Sequence, residues 1–176
     1  MNLPNAITVA RIAMVPAFVL LAYEEERASA IAAFLVFGVA SASDAVDGYL
    51  ARRHGTISRV GKFLDPFADK LLVGAALVVL VDAHDFPLWA ALVIAVREVA
   101  VQILRIRVIR GGRDMPASAA AKFKTGSQIA MVGWWLLPWG ERNFVHWSLM
   151  FLALATTTWS GIEYFVKSRT ENKVVS

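Results

Sequence analysis

No cysteine occurs among the 176 residues. That absence excludes thiolate metal sites, iron–sulfur clusters, disulfides and a cysteine nucleophile, and it leaves the redox compartment undetermined. Charge is scarce as well: 18% of the residues are Asp, Glu, Lys or Arg, against 57% that are hydrophobic, and the mean hydropathy is +0.55. A water-soluble domain cannot hide so much apolar surface, and the composition points to a membrane. With only three histidines, a histidine cage is not expected. No repeat or low-complexity segment is present. The charge that remains is net positive, +4 in formal terms, with a pI near 9.7. In an apolar chain such basic residues mark cytoplasmic loops and anionic headgroups rather than nucleic acid.

A membrane-spanning helix takes about 20 residues, so six spans would use roughly 120 of the 176 and leave no room for a separate soluble domain. Six apolar stretches are found, at about 4–22, 28–50, 63–81, 87–109, 116–137 and 144–166. Turn chemistry separates them: Gly55 and Gly61, Asp82 through Pro87, Gly111 and Gly112 with Pro116, and Pro138 with Gly140. The first stretch, which Asn5 or Thr8 can cap, reads as a retained span and not a signal peptide. It lacks a basic leading segment, carries Arg11 in its middle, and runs into Tyr23-Glu24-Glu25-Glu26-Arg27 without a small-residue cleavage site. The expected fold is therefore all-α: one polytopic membrane domain over residues 1–176 with six transmembrane helices. If the amino terminus is inside, the outer connections hold only Arg27 and Arg142 of the 18 Lys and Arg residues. That bias predicts that both termini are cytoplasmic.

Four carboxylates stand out against this background. Asp44 and Asp47 lie at i and i+3 near the cytoplasmic end of the second helix, and Asp65 and Asp69 at i and i+4 early in the third. Each spacing puts its pair on one helix face. The two helices form a hairpin, so all four can converge at a similar depth. Four like charges repel; at low dielectric they take up protons or are neutralised by cations, and oxygen-only ligation suits a hard divalent ion such as Mg²⁺ or Mn²⁺. Four carboxylates suffice for two such ions. Gly48 and Ala51 share the face of the first pair, and Gly61 sits one turn before Asp65, so bulk is removed where a ligand would approach the backbone. Arg52 and Arg53 at the helix end are suited to phosphate oxygens. Intramembrane ionisable groups are rare and usually functional.

Asp44, Asp47-Gly48, Ala51-Arg52, then Gly61, Asp65 and Asp69 match D-x2-D-G-x2-A-R-x8-G-x3-D-x3-D at all eight fixed positions. On these residues the chain resembles the CDP-alcohol phosphotransferases. The resemblance implies a six-helix membrane fold, usually homodimeric, that transfers a phosphatidyl or related group from a CDP-linked donor to an alcohol and releases CMP. It also implies that Asp44, Asp47, Asp65 and Asp69 surround two divalent ions and that Asp69 is the general base. Asp47, Gly48, Ala51, Arg52 and Gly61 would line the CDP site. The chemistry agrees, since such a transfer needs the attacking hydroxyl deprotonated and the phosphate charge neutralised.

Three outer segments are similar to the family members that accept glycerol 3-phosphate and form phosphatidylglycerophosphate. In the first, Asn2 to Arg11, Asn5 and Thr8 share a helix face and can reach the nucleotide. The second is Arg97-Glu98 followed by Arg105, which returns to roughly the Arg97 side two turns later. In the third, Ala121 to Thr125, Lys122 and Lys124 are kept although the family often has Gly where Ala121 stands. Arg97, Arg105, Lys122 and Lys124 would supply a basic pocket for the acceptor phosphate, which a neutral alcohol does not require. Inositol phosphate or another alcohol is the alternative acceptor.

The expected function is thus transfer of phosphatidyl from CDP-diacylglycerol to glycerol 3-phosphate, in phospholipid synthesis at the cytoplasmic face of the cell (inner) membrane, with membrane lipids as surroundings. A divalent-cation transporter is the rival from another class, but the outer halves of the helices contain almost no ionisable groups to line a path. The remaining features read as structural. The six tryptophans mostly fall near helix ends or lipid-facing surfaces, as an interfacial belt, His54 is a loop residue facing water, and Glu163 is a packing or dimer contact.

Overall fold

The computed structural model describes the backbone of residues 3–54, 61–110 and 119–173, and side chains within 7–43, 68, 70–108 and 119–168. These residues form six helices and no strand: α1 Leu3–Tyr23, α2 Arg27–His54, α3 Gly61–Ala83, α4 Leu88–Arg110, α5 Ala119–Leu136 and α6 Phe144–Lys173. The six expected helices are present, with ends shifted by a few residues. Two shifts matter. His54 is the last residue of α2 and not part of a loop, and α6 continues to Lys173, well past the expected end at 166.

The helices divide between two compact units. The first comprises Met1–Phe86 with Val132–Gly140, and the second Pro87–Met131 with Glu141–Ser176. In the first unit α1 packs on α2 and α3. Its inward positions recur at three- and four-residue steps: Thr8, Arg11, Val15, Phe18 and Ala22 on α1, Ala33, Phe37 and Ala40 on α2, Ala68, Leu72, Ala76 and Leu80 on α3. That spacing draws one stripe along a helix. Alanines recur along the α2 and α3 stripes, which lets backbones approach; Phe18 and Phe37 fill the middle, ring centres 5.7 Å apart.

One end of this unit is closed by Trp135, fully buried. Its indole N–H donates to the His84 carbonyl (2.9 Å), and its ring meets Phe86 edge-on at 4.8 Å. His84 Nε2 donates to the Ala22 carbonyl (3.2 Å). Asp85 takes a left-handed conformation (φ 51°), tolerable for Asp, and turns the chain so that the Phe86 N–H reaches the Leu80 carbonyl at 2.9 Å. At the same end the Tyr23 hydroxyl bonds to the Asp82 carboxylate. Trp135 therefore departs from the interfacial belt expected of the tryptophans. Trp89, Trp139, Trp147 and Trp159 are exposed, in keeping with it.

In the second unit α4 packs on α6, whose inward stripe is His146, Met150, Ala153, Thr157 and Ser160. Hydrogen bonds tie α5 to α6: Ser127 and Thr156 share one at 2.7 Å, and Gln128 Nε2 donates to Thr157 Oγ1 at 2.9 Å. An open groove of about 530 Å³ runs between α4 and α6, lined by Leu92, Val96, Ala100, Ile162 and Phe165 with Arg97 and Gly161. Glu163 bonds to Lys167 one turn along α6.

The surface is inverted relative to a water-soluble protein. Thr8, Arg11, Glu98, Lys124 and Gln128 are buried, whereas Leu20, Val78, Val96, Phe144 and Trp159 are exposed. Among the described residues, Phe144–Ser168 is long and apolar enough to cross a membrane, and Ile7–Tyr23 and Arg27–Ser43 are shorter apolar helices. In lipid, helices associate by close packing and interhelical hydrogen bonds, because lipid tails are as apolar as leucine.

Gly133 shows how tight that packing is. A Cβ added there would lie 2.8 Å from the Phe34 ring. Gly133→Ala is expected to destabilise the protein by about 1–3 kcal/mol through overpacking. Gly126→Ala, where nothing lies within 4 Å, should instead gain up to about 1 kcal/mol of helix propensity. Denaturation midpoints of the detergent-solubilised variants check the contrast.

Candidate functional site

The stripes that build the first unit run directly into the signature. On α2 the buried register of Ala33, Phe37 and Ala40, continued at helical steps, falls on Asp44, Asp47 and Ala51, with Gly48 and Arg52 adjacent. On α3 the register of Ala68 and Leu72, carried back one turn, falls on Asp65 and Asp69, and Gly61 is the first helical residue. Because α2 is unbroken to His54 and α3 from Gly61, the i,i+3 and i,i+4 spacings hold as true helical neighbours. The side chains of Asp44, Asp47, Gly48, Ala51, Arg52, Gly61, Asp65 and Asp69, and of Asn5, lie outside the described residues. Among the described residues no group of three acidic or imidazole side chains forms a metal site. The fit to a divalent ion therefore rests on the donor set itself, oxygen-only and paired on two continuous helices, which is the chemistry of hard cations.

One residue of this region was undervalued by sequence reasoning. Arg11 is fully buried, and its Nε donates to Ser43 Oγ at 3.2 Å, while Ser43 donates to the Ala40 carbonyl at 2.8 Å. Together with the Phe18–Phe37 pair, this fixes α1 antiparallel to α2 and sets a cation beside the residue that immediately precedes Asp44. Thr8, also fully buried, lies one turn beyond Arg11, toward the end of the unit where α2 enters its acidic segment. Asn5 falls one further turn on in the same register. An arginine inside an apolar span was the available signal, because such a charge must find a partner.

The basic residues gather only in part. In the second unit Glu98 of α4, 6% exposed, meets Arg97 and Lys124. Its Oε1 accepts from Arg97 Nη1 at 2.9 Å and from Lys124 Nζ of α5 at 2.6 Å. Arg97 Nη2 donates to Ser160 Oγ of α6 at 2.6 Å, and its Nε is buried with no hydrogen-bond partner. The Arg97 stem lies against Gly161, where a Cβ would come within 3.2 Å of Nε. The expected pair Arg97 and Lys124 is thus brought together, through a carboxylate to which the sequence reading gave no role. Arg105 and Lys122 are exposed, and Arg105 stands two turns, about 12 Å, along α4 from Arg97.

The sequence profile described as CDP-alcohol phosphatidyltransferase matches residues 1–159. A Bacillus subtilis protein named CDP-diacylglycerol–glycerol-3-phosphate 3-phosphatidyltransferase is 39% identical, over 95% of this chain and 95% of its own. The Pseudomonas fluorescens protein of that name is 42% identical, over 93% of this chain and 88% of its own. The one from Escherichia coli K12 is 36% identical, over 97% and 96%.

The Arg11–Ser43 contact generates a test independent of turnover. Arg11→Leu removes a hydrogen bond from a buried charged donor and should cost about 1.5–3 kcal/mol of stability. Arg11→Lys keeps the charge but lacks the Nε donor and the planar fork, so it should restore little. Denaturant midpoints of the three proteins in one detergent measure both effects.

Proposed function

The chain belongs to the CDP-alcohol phosphatidyltransferase family, and on that footing we propose that it transfers the phosphatidyl group of CDP-diacylglycerol to glycerol 3-phosphate, giving phosphatidylglycerophosphate and CMP. The observation that carries this reading is the near full-length match to relatives named for that reaction, at 36–42% identity, in a chain that keeps the whole eight-residue signature.

The chemistry assigned to the residues follows from their types. Asp69 takes the proton of an acceptor hydroxyl, whose oxygen then attacks the β-phosphorus of CDP-diacylglycerol. The phosphoanhydride bond breaks and CMP departs with the bonding electrons. Asp44, Asp47, Asp65 and Asp69 would hold two divalent ions, Mg²⁺ or Mn²⁺, and these would supply charge neutralisation at the phosphates. Asn5, Thr8, Asp47, Gly48, Ala51, Arg52 and Gly61 form the cytidine diphosphate site. Small residues there admit the nucleotide close to the backbone, and Arg52 grips phosphate. Arg97, Arg105, Lys122 and Lys124 receive the acceptor's phosphate.

The same reading gives the setting. The six helices span the cell membrane as one domain, with both termini and the site on the cytoplasmic side, where the Lys and Arg bias puts them. The inverted surface supports this, since exposed leucine, valine and phenylalanine suit lipid and buried charges are held by partners. By resemblance the protein works as a homodimer.

Purified protein in detergent should release CMP only when CDP-diacylglycerol, glycerol 3-phosphate and a divalent ion are all present. Product from inositol phosphate or a neutral alcohol but not from glycerol 3-phosphate would refute the acceptor assignment. Asp69→Asn should abolish turnover while leaving CDP-diacylglycerol binding largely intact, because an amide of the same shape accepts no proton.

Arg105→Gln or Lys122→Gln should each remove a charge-assisted contact of about 1.5–3 kcal/mol, roughly a 10- to 150-fold rise in KM for glycerol 3-phosphate. Arg52→Gln should act on CDP-diacylglycerol instead. Kinetics with each substrate varied in turn separate the two patterns.

A further inference from the structure

Glu98 is the one carboxylate that the described structure buries between two cations. It is 6% exposed, it lies outside the signature, and the transfer chemistry above gives it no task. A buried carboxylate is costly unless its charge is met, and here a single oxygen meets two charges: Arg97 Nη1 at 2.9 Å and Lys124 Nζ at 2.6 Å. Two cations converging on one oxygen stand closer to each other than their repulsion would otherwise allow. Without the carboxylate they would separate.

The surrounding contacts direct this pairing. Ser160 fixes the other arm of the Arg97 guanidinium at 2.6 Å, and Gly161 leaves room for its stem. The Arg97 guanidinium is thus held from two sides, by Glu98 and by Ser160, and the Lys124 ammonium is held by Glu98, so the network joins three helices. A guanidinium carries five donors and an ammonium three, so each can bond to the carboxylate and still offer N–H groups elsewhere.

We propose that Glu98 is a positioning residue for the acceptor: by holding Arg97 and Lys124 on one oxygen, it sets both at a fixed spacing for the acceptor's phosphate. The proposal rests on the function given above and deepens it, since it makes a residue that cannot itself bind an anion responsible for anion selectivity. The carboxylate stands behind the two cations, and the phosphate arrives at a pair whose rotamer entropy has already been lost in folding. Pre-organisation of this kind strengthens binding by lowering the ordering cost at the moment of association.

The test is steady-state kinetics on the full-length protein in detergent, with thermal midpoints recorded for each variant. Glu98→Gln should raise KM for glycerol 3-phosphate by about 10- to 150-fold and leave KM for CDP-diacylglycerol within about twofold. Glu98→Asp keeps the charge on a shorter stem and should recover part of the loss. If Glu98→Gln does not fold, Glu98→Asp alone should still show the acceptor-specific rise. Glu98→Gln added to Lys124→Gln should cost much less than the two single effects multiplied, because one acts through the other. Equal rises for both substrates, multiplicative effects, or a fall in thermal midpoint with an unchanged glycerol 3-phosphate KM would each overturn the positioning role while leaving the function intact. A wild-type protein that makes no product from glycerol 3-phosphate overturns the function, and the positioning role with it.

Discussion

A charged group carried into an apolar helical bundle has to be met there by another polar atom, because neither aliphatic side chains nor lipid can solvate it. In this protein that requirement organises more than it costs. Arg11 reaches across to Ser43 and thereby fixes how α1 lies on α2. Glu98 reaches two cations, and one of those reaches Ser160, so α4, α5 and α6 are tied by a single polar network. Each buried charge specifies a helix pair in a way that aliphatic packing, which tolerates sliding, does not.

The apolar residues contribute differently in the two settings they occupy. Inward, alanine and glycine let helices approach, and Phe18, Phe37 and Trp135 fill the space between them. Outward, leucine, valine and phenylalanine gain nothing by burial if lipid surrounds them. In such a medium stability depends on contact quality and on polar pairs worth roughly 0.6–2 kcal/mol each. The Ser127–Thr156 and Gln128–Thr157 bonds belong to that class. The helices that bear the signature are held by residues one or two turns away, such as Phe37, Ala40 and Leu72.

Much of this was legible in the sequence, and the reason is periodicity. Long apolar runs broken by glycine, proline and acid clusters give six helices, with ends correct to a few residues except the far end of α6, which runs on to Lys173. Fixed spacings within one helix put Asp44 with Asp47 and Asp65 with Asp69, and the structure keeps those spans helical. What periodicity cannot give is partnership between helices. Arg97 and Lys124 were both singled out, but the carboxylate that joins them could not be identified without knowing that α4 faces α5. Arg11 reads in sequence only as a mark of a retained span and the end of the Asn2–Arg11 segment, and its partner Ser43 carries no signal of its own, for the same reason. Trp135 was grouped with the interfacial tryptophans because composition cannot distinguish a ring at a helix end that faces lipid from one that plugs the bundle.

The stripe on α2, from Ala33 through Ala40 to the register of Asp44, Asp47 and Ala51, would, on the proposed function, couple reaction chemistry to the phase of a helix. A straight helix turns about 100° per residue. One residue gained or lost between Ala40 and Asp44 would therefore leave every apolar contact upstream in place and swing the acids a quarter-turn or more out of line. Changes of length are harmless to that alignment in the connection before Arg27, where only the entry point of α2 moves. The scaffold thus permits substitution freely along its lipid face but carries the memory of its active register as an exact residue count, so such a protein can drift in sequence far more readily than in the spacing of its helices.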